Sequence, residues 1–118
     1  MPRSNWKLHL NASRQVQAKK IFNRCIMAIG RLPMDATVKP YSKGGYLAVF
    51  ELYHSDKMGW GELVVEVLSM GQKLGVGWTL LGDANSDPSA VLATNTGSRS
   101  SVSGLSWAEW QLNQHEMD

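Results

Sequence analysis

Apolar and polar positions along this chain change period several times, and each change marks an element. Trp6, Leu8 and Leu10 alternate with Lys7, His9 and Asn11. A period of two predicts a half-buried strand. Asn11 or Ser13 can then cap a helix. From Ala18 the apolar positions are Ile21, Phe22, Cys25, Ala28, Ile29 and Leu32, one stripe at helical spacing. Lys20, Arg24 and Arg31 fall largely off that stripe, and Gly30 and Pro33 close the helix. Residues 36–41 predict a short strand, at an edge because Pro40 has no N–H to give a ladder. Ser42-Lys43-Gly44-Gly45 predicts a turn. Tyr46 to His54 is the strongest strand pattern in the chain, apolar on both faces and therefore expected at the centre of a sheet.

Ser55-Asp56-Lys57-Met58-Gly59 breaks the pattern and can cap a second helix. Its stripe is Trp60, Leu63, Val64, Val67, Leu68, Gly71 and Leu74, with Glu62 and Glu66 on the outer side and Gly75 at the end. Val76 to Leu81 predicts a fourth strand, Gly82 to Ser89 a polar loop, and Val91 to Thr94 a short strand. Residues 96–101 predict a turn, and Leu105 to Leu112 a final strand with a bend. Trp107 and Trp110 are an odd number of residues apart, so one regular strand cannot point both inward. Beyond Asn113 the polar tail is expected to fray.

The order strand, helix, strand, strand, helix, strand matches the βαββαβ arrangement of ferredoxin-like folds. The expected fold class is therefore α+β: a ferredoxin-like antiparallel sheet, two helices on one face, and an extra C-terminal strand pair. Residues 1–118 form a single domain of a size that supports its own core.

Charge changes this picture more than composition does. Residues 1–40 carry eight Lys/Arg against the single acid Asp35, while residues 41–118 carry four against nine acids. The net +2 thus conceals a basic and an acidic section, and such asymmetry shapes encounters with charged partners. The N-terminus lacks the apolar run of a secretory signal. No stretch approaches the length of a membrane span. Asn11-Ala12-Ser13 fits the glycosylation acceptor pattern by chance, given no signal. The lone Cys25 excludes an intrachain disulfide and sits on a helical apolar stripe, as a buried thiol does.

Catalytic motifs are absent. Gly75, Gly77 and Gly82 close a helix and open a strand, the reverse of a phosphate loop. His9, His54 and His115 are scattered without a second ligand at metal spacing, so neither a metal nor a cofactor is expected. Asp83, Asp87 and Glu51 have no spacing that selects them as acids or bases, and the two aspartates read as turn residues. An enzyme reading would need a deep pocket holding His54 and a carboxylate. A ferredoxin-like core with a basic N-terminal section also raises RNA binding, with Trp6, Tyr46, Phe50 and Tyr53 as stacking candidates. Lys43-Gly44-Gly45-Tyr46-Leu47-Ala48-Val49-Phe50 only brushes the RNA-reading consensus, and the basic residues lie mainly on the first helix.

Three C-terminal runs resemble a known group. These are Trp60-Gly-Glu-Leu-Val-Val-Glu-Val-Leu-Ser-Met-Gly-Gln-Lys-Leu-Gly75, Gly77-Trp78-Thr-Leu-Leu-Gly82, and Leu105-Ser-Trp107-Ala-Glu-Trp110-Gln-Leu112. They resemble small bacterial immunity proteins encoded beside polymorphic or contact-dependent toxins. The resemblance implies a cytoplasmic, non-enzymatic protein that binds one cognate toxin domain and occludes its active site. It transfers no functional residue by position. Acids on one surface would steer a basic partner, and aromatics would anchor it. On that reading the expected contacts are Glu51, Asp56, Asp83, Asp87, Trp107, Glu109 and Trp110. The alternative is an RNA-binding ferredoxin-like module.

Overall fold

In a computed structural model that describes residues 2–94 and 97–113, the first strand, β1, spans Arg3–Leu10. Its alternation is strict: Ser4, Trp6, Leu8 and Leu10 are buried, while Arg3, Asn5, Lys7 and His9 face the other way. Helix α1 (Gln15–Ile29) follows and buries Ala18, Ile21, Phe22, Cys25 and Ile29. Neither Asn11 nor Ser13 caps it. Arg14 occupies the N-cap without a side-chain bond, and Gln17 Oε1 reaches back to the Ser13 N–H at 3.4 Å. Leu32, expected on the stripe, lies past the helix end and is 83% exposed.

Strands β2 (Met34–Pro40) and β3 (Tyr46–Tyr53) form a hairpin, with β2 at the sheet edge. Helix α2 (Trp60–Leu74) begins at Gly59, whose N–H donates to Glu62 Oε1 at 3.1 Å. A glycine N-cap has no side chain to return the bond, so this is half of a capping box. Leu63, Val67, Met70, Gly71 and Leu74 are buried, whereas Trp60 and Trp78 are only half-buried.

After α2 come β4 (Gly75–Val76), β5 (Thr79–Leu81), β6 (Ser89–Ala93), β7 (Arg99–Ser100) and β8 (Leu105–Gln111). The architecture is mixed α+β. Two helices accompany a six-stranded sheet of order β2-β3-β1-β8-β6-β5, every ladder of which is antiparallel, and β4 and β7 pair separately. In a ferredoxin-like order the strand after α2 would lie beside β1. Here β8 occupies that place, and the expected strand 76–81 is divided. Gly77 adopts φ 87°, which suits glycine. The Trp78 indole turns inward and donates to the carbonyls of Gly71 and Gly75, both at 3.0 Å. Carbonyls at a helix end draw on partners from beyond the helix, and the indole supplies one. The remaining segment, β5, pairs with β6 at the far edge of the sheet.

Registers place Trp6 opposite both Phe50 and Trp110, and Ala90 beyond Trp110. These residues share the inner face, and the buried residues of both helices join the same cluster. Trp6 stacks on Phe50 (6.1 Å, 9°), and Phe22 of α1 meets Phe50 edge-on at 5.5 Å. Fully burying side chains of this size contributes about 1.5–3 kcal/mol each, so the core is centred on β1. The opposite face of the sheet carries the outward residues of β1, β3 and β8. The predicted tail beyond Asn113, with His115, and Thr96 of the predicted 96–101 turn lie outside the described residues.

Candidate functional site

Period-two geometry sends every second residue of adjacent strands to the outer face, where they form cross-strand rows. In one row Asn5 lies between Glu51 and Gln111, and Gln111 faces Ser89. In the next, Lys7 lies between Val49 and Glu109. In the third, His9 lies between Leu47 and Trp107.

The third row is ordered by aromatic contact. His9 stacks on Trp107 (5.7 Å, 13°), and Tyr41 meets both rings edge-on at 5.6 and 6.3 Å. His9 Nε2–H donates to the Gly44 carbonyl at 2.8 Å, tying the sheet to the β2–β3 turn. Gly45 in that turn has φ 71°, and a Cβ there would fall within 3.0 Å of the Leu10 carbonyl and the His9 ring. Polar contacts tie the first row to its neighbours: Arg3 Nη1 lies 3.8 Å from Glu51 Oε2, and Gln111 Nε2 donates to Glu109 Oε1 at 2.8 Å.

Glu51, Trp107 and Glu109 therefore lie on one face, separated only by β1. Asp83 and Asp87 stand in the β5–β6 loop at one end of the sheet. There Asp83 Oδ1 accepts from Asn85 N–H (2.8 Å), and Asp87 Oδ1 accepts from Asp83 N–H (3.2 Å) and Ser86 Oγ–H (3.1 Å). Asp56 is exposed in the β3–α2 turn, which leaves the sheet at that same end. Trp60 Nε1–H links α2 to this loop through the Ala84 carbonyl at 2.7 Å. Trp110 must be removed from the expected contacts. It is 1% exposed and faces the helices, because its register with Trp6 assigns it to the inner side. The RNA-stacking candidates are corrected on the same ground: Trp6 and Phe50 are core residues and Tyr46 points inward, so only Tyr53 reaches the outer face.

A buried polar chain gives no sign of itself in the sequence. Trp6 Nε1–H donates to Ser4 Oγ at 2.7 Å, and Ser4 Oγ lies 2.8 Å from His54 Nε2. His54 Nδ1 lies 2.7 Å from Glu66 Oε1, which also accepts from Arg31 Nη1 at 2.8 Å. Donor accounting sets the tautomer: Nδ1–H donates to the carboxylate, and Ser4 Oγ–H donates to Nε2. Burial, the largest influence, pushes the His54 pKa down, helped by Arg31 and opposed by Glu66. For Glu66 burial pulls upward, but the bonds from His54 and Arg31 outweigh it and hold the carboxyl below its usual range. Glu66, expected on an outer helix face, is thus drawn into this network.

Serine, histidine and glutamate at these distances have the spacing of a nucleophile, its base and an orienting acid. In this structure the serine and histidine are closed off from solvent. Ser4 and His54 are at most 1% exposed, and Ser4 Oγ already accepts the Trp6 N–H. The groove along α2 reaches Glu66 but is not lined by Ser4 or His54. The Cys25 thiol is buried, which pushes its pKa up to about 12. Among the described residues no three His, Cys, Asp or Glu side chains converge to hold a metal, and no helix is long and apolar enough to cross a membrane. The outer-face set Arg3, Asn5, Lys7 and His9 is readable from period two alone. Its pairing with β8 is not. Comparison with protein-family models, with curated proteins and with solved structures finds no match.

Proposed function

We propose that this chain is a non-enzymatic binding protein that docks a partner protein on the outer face of its sheet, and that the partner is a cognate bacterial toxin domain neutralised in the cytoplasm. The observation that carries the reading is the face itself. Trp107 and His9 stack beside Val49 and Leu47, with Glu51, Glu109 and Lys7 interspersed; Lys7 and Val49 are exposed, and Tyr41 meets the two stacked rings edge-on. A flat aromatic centre with a charged surround suits a protein partner better than a small molecule. The choice of a toxin rests on the resemblance of the segments within 60–112 to immunity proteins. We also read β1, α1, β2, β3 and α2 as a ferredoxin-like core in which β8 serves as fourth strand. RNA is the less favoured partner, because two of the four aromatics that would stack bases belong to the core.

The test is direct. The toxin domain encoded beside this gene is titrated with the protein by calorimetry. Specific binding is expected, weakened at least about tenfold by Trp107→Ala and by joint charge reversal of Glu51 and Glu109. Unchanged affinity in all these variants overturns the assignment of the face. Absence of binding together with steeply salt-dependent RNA binding overturns the reading in favour of RNA.

A further inference from the structure

The β5–β6 loop folds back on the sheet end and encloses a cleft of about 310 Å³. Gly82, Asp87 and Ser89 line it on the loop side, and Asn5, Gln111 and Leu112 on the strand side. The loop is held before any ligand arrives. Asp83 O accepts from the N–H groups of Ser86 (3.0 Å) and Asp87 (2.9 Å), and Leu112 N–H donates to the Pro88 carbonyl at 3.0 Å. Asp87 Oδ1 is fixed by Asp83 N–H and Ser86 Oγ–H; Oδ2 takes part in neither bond. Among the described residues that line the cleft, Asp87 carries the one formal charge. With it in the lining are the side-chain amides of Asn5 and Gln111 and the Ser89 hydroxyl, each of which has an oxygen able to accept a hydrogen bond; Gln111 Nε2 donates to Glu109 Oε1.

A concavity with polar walls and one carboxylate disfavours an apolar ligand, whose burial would strand those groups without partners. It favours a cation that donates several hydrogen bonds in one plane. A guanidinium does so with five N–H donors, whereas an ammonium is a compact point charge. Nearby acids have the right sign, against the cations Arg3 and Lys7 on either side of Asn5 in β1. Asp83 stands in the same loop and Glu51 faces Asn5, while Arg3, the cation at this end of β1, is directed to Glu51. Position indicates the source. The cleft shares Asn5 and Gln111 with a shallow depression in front of Lys7, Val49 and Glu109 on the outer face. A protein lying on that face can extend one side chain into the cleft.

We infer that this cleft is a receptor for an arginine side chain presented by the protein partner. The inference rests on the binding reading above only for the source of the guanidinium. Its test uses no toxin: backbone amide shifts of the whole protein are followed by NMR during titration with arginine capped at both ends. Saturable shifts at Asn5, Ser89 and Gln111 are expected. Capped citrulline, the neutral isostere, should bind at least about tenfold more weakly, and so should capped arginine to Asp87→Asn. That variant keeps the Oδ1 acceptor that holds the loop; Asn5→Leu, which leaves the loop untouched, should also weaken binding. No shifts at the cleft, or equal binding of capped citrulline, overturns the site. Equal binding of capped lysine overturns the choice of guanidinium. Binding of free L-arginine but not the capped form overturns a partner's side chain as the source. A missing toxin interaction would leave these results standing, and their failure would leave the outer face as a docking surface.

Discussion

His54 and Glu66 are joined at 2.7 Å across the boundary between the end of β3 and the second turn of α2, in a pair that Ser4 and Arg31 complete. The pair brings a strand end and a helix together through polar atoms, next to an otherwise apolar core.

Stability should therefore fall in acid, beginning near neutrality. The folded protein binds the His54 proton less readily than the unfolded chain, whose histidine titrates near 6.5. The stabilisation is fully present above 6.5 and is lost as pH falls from there towards the depressed folded pKa. Glu66 adds a second loss of the same sign, below its ordinary value of 4.5. The slope from His54 alone is at most about 1.4 kcal/mol per pH unit. Urea unfolding between pH 8 and 5 measures it. In His54→Gln the part of the slope between about pH 6.5 and 5 should flatten.

Ser4→Ala should destabilise by about 1–3 kcal/mol, because it leaves the Trp6 indole N–H and His54 Nε2 buried without partners. Chemical denaturation checks the magnitude. An unchanged midpoint would mean that water replaces the hydroxyl.

The two C-terminal tryptophans should separate stability from binding. Trp110→Ala empties a core position and should cost about 3–5 kcal/mol. Trp107→Ala should cost far less, since it removes a stacking contact with His9 worth about 0.5–1.5 kcal/mol plus partial burial. Thermal unfolding of both variants, set beside partner binding by Trp107→Ala, distinguishes core from face.

Two glycines should respond in opposite directions to alanine. Gly61 lies in the first turn of α2, where an added Cβ would meet open space and the backbone is not left-handed, so Gly61→Ala should stabilise by up to about 1 kcal/mol. Gly45→Ala should destabilise by more than that. It forces a side chain into positive φ and against the Leu10 carbonyl and the His9 ring. Calorimetric unfolding of both variants gives the comparison.

Much of this fold is legible in the sequence because it depends on local period. Alternation locates β1, a run apolar on both faces locates β3, three-four spacing locates both helices, and Pro40 marks β2 as an edge. The segment 76–81 misleads because its mostly apolar run looks like one strand, whereas a left-handed Gly77 and the Trp78 indole on helix carbonyls divide it. Parity in one strand separates Trp107 from Trp110 without saying which points in. Pairing with His9 and Trp6, about a hundred residues away, decides that. The cleft has the same origin: Asn5 and Gln111 meet only through β1–β8 register. The Ser4–His54–Glu66–Arg31 chain joins four separate elements or their ends, and no spacing in the sequence announces such a meeting.

Placing β8 between β1 and β6 also constrains the order of events during translation. Every other strand of the large sheet leaves the ribosome before β8 does, so β1 waits with one ladder edge unsatisfied and Trp6 only partly enclosed. An unpaired ladder edge of this kind is a template for pairing with another chain. The sheet closes only when β8 inserts beside β1, in the manner of a keystone set last.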